Sequence, residues 1–158
     1  MRKIILSIFV LMIILTMSCQ KTFVNGTTKA TKAASGWWIT FTQDGTDVFK
    51  IGTKFLNTYN TSANDDSIWV DDLLNTWQFK CKAAINYQNL TFSTTNSANE
   101  YYPITVNIAK GKIMTKAGTS KSGVKTDSIY MEVNFSDDPS NTYVISGTAR
   151  TGFIEDDY

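Results

Sequence analysis

From residue 36 onward, apolar positions recur at every second residue in short runs separated by turn-forming clusters. The clearest run is 77–85. Trp77, Phe79, Cys81, Ala83 and Ile85 share one face, while Gln78, Lys80, Lys82 and Asn86 share the other. One face is dry and one is wet, which is the pattern of an antiparallel sheet over a core. The same alternation puts Ile129, Met131, Val133 and Phe135 together. It predicts further strands at 37–42, 48–59, 68–70, 89–94 and 104–108, and in "KIMT" and "TYVISGTARTGF". Lys110-Gly111 reads as a tight hairpin between two of them. No stretch after residue 36 carries a helical period. Consecutive strands at hairpin spacing predict an all-β fold, an antiparallel up-and-down barrel of about eight strands over 36–158.

In "GWWITFT" the alternation sets Trp37, Ile39 and Phe41 against Trp38, Thr40 and Thr42. Side chains inside a small barrel either fill it or line a ligand cavity. The interior candidates are Trp37, Phe41, Trp77, Phe79, Cys81, Met131 and Phe135, and both outcomes are open to them. As a set they define the candidate binding site for a small apolar ligand.

The first 18 residues follow a different logic. Arg2 and Lys3 precede "IILSIFVLMIIL", an apolar run of signal-peptide length and too short to span a bilayer. The run ends in "TMSC", with a small residue directly before Cys19. This predicts a lipoprotein signal peptide over 1–18 and a lipidated Cys19, whose several acyl chains would hold the protein on a membrane. Residues 19–35 are polar and Thr/Lys-rich and read as a flexible tether. The stretch after Cys19 lacks an acidic cluster, which favours the periplasmic face of the outer membrane over the cell surface.

Charge and chemistry narrow the functions. From Cys19 to Tyr158 there are 140 residues, with 13 basic and 14 acidic side chains. No basic patch invites nucleic acid. The chain has no histidine, so a Ser-His-Asp or Cys-His centre cannot be built, nor a metal site based on imidazole. No catalytic residue, metal ligand or cofactor is predicted. With Cys19 lipidated, Cys81 has no disulfide partner, and it reads as a small buried hydrophobe. The doublets Asp65-Asp66, Asp71-Asp72, Asp137-Asp138 and Asp156-Asp157 lack the spacing of a calcium loop and read as solvated turns.

The segments "GWWIT", "IWVDDL", "TWQFKCK", "LTF", "GKI", "DSIYMEVNFSDDP" and "TYVISGTARTGF" resemble, in order and spacing, the Bacteroides-type lipoprotein family described as lipid-binding putative hydrolase. The resemblance implies a lipocalin-like (calycin) barrel that holds a lipid-like ligand. In lipocalins a Gly-x-Trp on the first strand meets an arginine on the last strand and closes the barrel. Carried onto this chain, the lipocalin spacing assigns barrel closure to Trp38 and Arg150, while alternation puts the more apolar face at Trp37, so either indole is a partner for Arg150. Arg150 is the sole arginine after residue 2. Three functions follow in order. The first is a membrane-tethered, non-enzymatic barrel for an apolar ligand. The second is an envelope interaction module for glycan or protein, using Trp69, Tyr101 and Tyr102. A hydrolase comes last.

Overall fold

A computed structural model describes residues 27–158. Eight antiparallel strands close into one up-and-down barrel in sequence order. They are β1 (Ser35–Thr42), β2 (Lys54–Asn60), β3 (Ser67–Asp71), β4 (Lys80–Asn86), β5 (Thr91–Ala98), β6 (Thr105–Thr119), β7 (Lys125–Phe135) and β8 (Asp138–Ala149). Each strand pairs with the next, and β8 returns to β1. The predicted fold is therefore the observed one, with eight strands. Residues 1–18, Cys19 and the tether up to residue 26 lie outside the described residues.

The period of two is obeyed almost everywhere. Trp37, Ile39 and Phe41 point inward, as do Phe79, Cys81, Ala83, Ile85, Ile129, Met131, Val133 and Phe135. Lys80 and Lys82 point outward, where their ammonium groups lie 5.1 and 4.9 Å from the ring centre of Trp69. Three boundaries differ from the sequence reading. Trp77, Gln78 and Phe79, the head of the predicted run 77–85, lie in the loop before β4, with Gln78 at φ +58°. Residues 48–53 form a loop, with Lys50 and Gly52 in left-handed backbone. Lys110-Gly111 is no hairpin: β6 runs through it as one 15-residue strand. The register shifts there between Ala109 and Lys112, with Lys110 at φ +51°. The pair marks a bulge, and Gly111 is required because the Phe92 ring and carbonyl occupy the place of a Cβ.

The barrel has two different ends. At one, β1 begins, and the loops 61–66, 87–90 and 120–124 meet both described termini. This end is closed. A 3₁₀ turn at Lys29–Lys32 precedes β1, with Ala30 and Ala33 fully buried. The Trp37 indole N–H donates to Thr58 Oγ1 (2.8 Å), and that hydroxyl donates to the Ala33 carbonyl (2.5 Å). Residues 28–34 are thus part of the fold and not a tether. Small residues at 30 and 33 let a short turn press onto the barrel floor, a tertiary effect that polar composition hides. At the other end, the mouth, the loops 43–53, 72–79, 99–104 and 136–137 come together.

The interior between the ends is filled. A void able to hold water would leave exposed surface on the side chains around it. Ile39, Leu56, Val70, Cys81, Met131 and Ile145 have none. An eight-stranded barrel is just narrow enough for its own side chains to occupy it. Phe79, Cys81 and Met131, assigned above to a ligand cavity, are therefore core. Burial, followed by the charge of Asp72, pushes the Cys81 thiol up to about 12, so it is an unreactive packing group.

Closure depends on the β8–β1 seam. Gly147 sits opposite Ile39, and a Cβ there would overlap the Trp38 carbonyl oxygen and crowd the Ile39 Cα. Both obstacles are backbone and cannot rotate away. Gly147→Ala is expected to cost roughly 3 kcal/mol or more by overpacking the seam. A urea titration followed by circular dichroism checks this, with Gly45→Ala, which meets no neighbouring atom but is strained by its φ of +77°, as a comparison.

Candidate functional site at the barrel mouth

The mouth is plugged by aromatic rings. Trp77 stacks on Phe135 with ring centres 4.8 Å apart and planes inclined by 7°. Phe41 stacks on Tyr143 at 4.8 Å. Phe49 caps both pairs, 5.9 Å from Phe41 and 5.7 Å, edge-on, from Trp77. Of the residues predicted to bind ligand, Phe41, Trp77 and Phe135 thus meet in one cluster, and Phe79 packs beneath it against Phe135. Trp37 belongs to the opposite, closed end.

Beside the plug lies an open cleft of about 480 Å³, lined by Phe49, Ile51, Thr76, Trp77, Gln78, Tyr102 and Asp137. One wall is apolar and the opposite edge polar. Asp137 accepts a hydrogen bond from the Trp77 indole N–H (3.2 Å) and another from the Tyr102 hydroxyl (2.9 Å). Burial and the Asp137 carboxylate push the Tyr102 phenol up to about 12, so it stays a neutral donor. A larger concavity of about 680 Å³ lies on the outer wall between β4, β5 and β6. Its lining mixes the charged Asp66, Lys110 and Lys112 with Ala84, Ile85 and Phe92, and it lies away from the aromatic plug.

The loop that carries Trp77 is built around one buried carboxylate. Asp72 accepts hydrogen bonds from the backbone N–H groups of Leu74, Thr76, Gln78 and Phe79 and from the Thr76 hydroxyl. Burial pushes this carboxyl up, and those hydrogen bonds oppose it. Asp71 is also buried; it accepts from the hydroxyls of Tyr59 (2.8 Å) and Tyr101 (2.6 Å) and from the Leu73 N–H. The Asp71-Asp72 doublet is therefore a buried anchor and not a solvated turn. The two carboxylates hold Leu73 and Leu74 at φ +53° and +64°. Left-handed backbone costs a leucine roughly 1–2 kcal/mol. Both side chains remain exposed, at 38% and 55%, and Val48 and Phe49 are exposed at 44% and 47% in the neighbouring β1–β2 loop. The mouth thus carries an exposed apolar rim on strained backbone, which makes it a candidate site.

The aromatic residues considered for glycan stacking are committed to intramolecular contacts. Trp69 lies under Lys80 and Lys82, Tyr101 is bonded to Asp71, and Tyr102 to Asp137. Among the described residues no three His, Cys, Asp or Glu side chains converge to hold a metal ion.

The expected closure by Trp38 and Arg150 takes another form. Arg150 does neighbour the first strand, since its backbone N–H donates to the Gly36 carbonyl (2.8 Å). Its guanidinium, however, forms a two-pronged pair with Asp157 at 2.7 and 2.5 Å. Among the described residues every cation over an aromatic ring is a lysine. Trp38 faces outward, packing on Phe55 at 4.8 Å and Tyr158 at 5.5 Å. Its indole N–H is buried beside Asp157 without a well-formed hydrogen bond. Arg150 therefore reaches Trp38 through the C-terminal tail, and Trp37 is the tryptophan that closes the barrel end. The nearest carboxylate to a guanidinium outcompetes an indole face, because ion pairing with two aligned hydrogen bonds is the stronger contact.

The closed, eight-stranded, up-and-down barrel with a lined mouth is the architecture of a small-ligand-binding module. The family described as lipid-binding putative hydrolase matches residues 24–154, and the chain belongs to it. No curated protein matches the chain.

The C-terminal tail yields a pH prediction. Burial alone would raise the Asp156 carboxyl. Hydrogen bonds from the Thr151 hydroxyl and the Ser122 N–H outweigh it and lower the group from 3.8 to about 2. A depressed carboxyl stabilises the fold above its unfolded value and loses that effect as pH falls through its folded value. The tail should accordingly detach from the 120–124 loop between about pH 4 and pH 2. Amide exchange at Ser122 should accelerate across that window, and Asp156→Asn should reduce the transition to the part left by Asp157, whose carboxyl Arg150 also lowers.

Proposed function

We propose that this protein is a membrane-tethered, non-enzymatic lipoprotein whose barrel presents its mouth cleft to an apolar or lipid-like ligand. The observation that carries the reading is the cleft of about 480 Å³ between Phe49, Ile51 and Trp77 on one side and Tyr102 with Asp137 on the other. Its size falls within the roughly 300–1,000 Å³ usual for small-molecule sites. The lipid-binding description of the family supports the ligand class. With the interior filled, the ligand lies at the mouth and not at the barrel centre.

The tether belongs to the same reading. The 12-residue apolar run Ile4 to Leu15 followed by "TMSC" supports lipidation at Cys19, and the missing acidic cluster supports the periplasmic face of the outer membrane. The non-enzymatic part rests on the absence of histidine from the sequence and on the engagement of Asp71, Asp72 and Asp137 as hydrogen-bond acceptors within the fold.

The neutral fluorescent amphiphile N-phenyl-1-naphthylamine tests the site. Phe49→Ala, at a half-exposed loop position, should weaken its binding with a stability change within about 1 kcal/mol. Trp77→Ala should weaken it further while also loosening the plug. Unchanged affinity in both variants would place the ligand elsewhere and reject the mouth. The anchor is tested separately. Cys19→Ala should move the protein from the membrane to the soluble fraction, and full retention in membranes would refute lipidation as the attachment.

A further inference from the structure

We infer that the mouth cleft selects an amphiphile with a cationic headgroup, such as an alkylammonium, over one with a carboxylate. The inference rests on the reading of the mouth as the ligand site and adds the chemistry of the headgroup.

Asp137 is the charged side chain of the cleft lining. Its two hydrogen-bond donors, the Trp77 indole and the Tyr102 hydroxyl, are both neutral. Each carboxylate oxygen keeps a lone pair beyond the one bond it accepts here. The negative charge is oriented but not cancelled. Among the described residues the salt bridges are Lys29–Asp66, Lys110–Glu132 and Arg150–Asp157, none of which reaches the mouth loops. The surroundings reinforce the sign. In the four mouth loops Asp44, Asp47, Asp72, Glu100 and Asp137 stand against one lysine, Lys50.

A free fatty acid docked with its chain along Phe49, Ile51 and Trp77 would bring its carboxylate against Asp137. That juxtaposition of like charges is unfavourable in a partly desolvated cleft. A cation placed there meets a carboxylate with the rings of Trp77 and Tyr102 beside it. An uncharged hydroxylated headgroup falls between the two, since it can donate to Asp137 without gaining the charge term.

The test compares three amphiphiles with the same dodecyl chain, each below its micellar concentration: dodecyltrimethylammonium, dodecyl maltoside and dodecanoate. Calorimetry with the full chain should show the ammonium binding at least roughly tenfold tighter than the carboxylate. Asp137→Asn keeps the shape and one acceptor, and should shrink that preference to under about threefold. Raising salt to ~1 M on the unaltered protein should shrink it as well, by screening, and this needs no variant to fold. Equal binding, tighter dodecanoate, or a preference untouched by both Asp137→Asn and salt would overturn the headgroup assignment and leave the apolar cleft standing. Failure of all three amphiphiles to bind would instead remove the lipid-site reading itself.

Discussion

Everything in this structure depends on β8 finding β1. An open eight-stranded sheet would expose two edges and half of its apolar face. Closure satisfies both edges and turns one alternating face into a sealed core. The seam is made by six paired positions, from Trp37–Ala149 to Thr42–Val144. Its tightest point is Gly147, where the backbones of Trp38 and Ile39 take the space of a side chain. Because each side chain alternates in or out, the register at this seam also decides that Trp37 goes to the core and Trp38 to the surface.

Closure produces two unlike ends. At one end the chain folds a short turn over the opening and bonds it to Trp37 through Thr58. At the other the openings between strands are covered only by loops. The aromatic side chains of Phe41, Phe49, Trp77, Phe135 and Tyr143 converge there and seal the core from above. Sealing leaves no room inside, so the accessible apolar surface is displaced upward onto the rim. A barrel of this size with a filled interior can still belong to a lipid-binding family.

The rim is held by buried carboxylates. Asp72 gathers four backbone N–H groups, and Asp71 gathers two phenols and a fifth N–H. Those bonds offset the strain of two adjacent left-handed leucines whose side chains gain little burial in return.

The sequence by itself determined the fold class and most of the inward face, Phe41 and Phe135 included, but did not single out Phe49 or Tyr143 or foresee a plug. Period-two alternation is a local property of the chain, and the barrel uses it unchanged. It also determined Cys81 as a buried hydrophobe and Lys80 and Lys82 as surface groups. What the tertiary structure decided depends on distances between segments far apart in sequence. Lys-Gly at 110–111 carries the residues of a turn, yet the neighbouring strands extend it into a bulge. The segment 28–34 has the composition of a tether, yet Ala30 and Ala33 fit the floor of a barrel that exists only once β2 is in place. Asp71 and Asp72 look like any acidic doublet until the loop wraps its N–H groups around them. Whether the interior aromatics enclose a cavity was open for the same reason. Alternation says which side chains point inward, but only the closed barrel sets the volume they must fill.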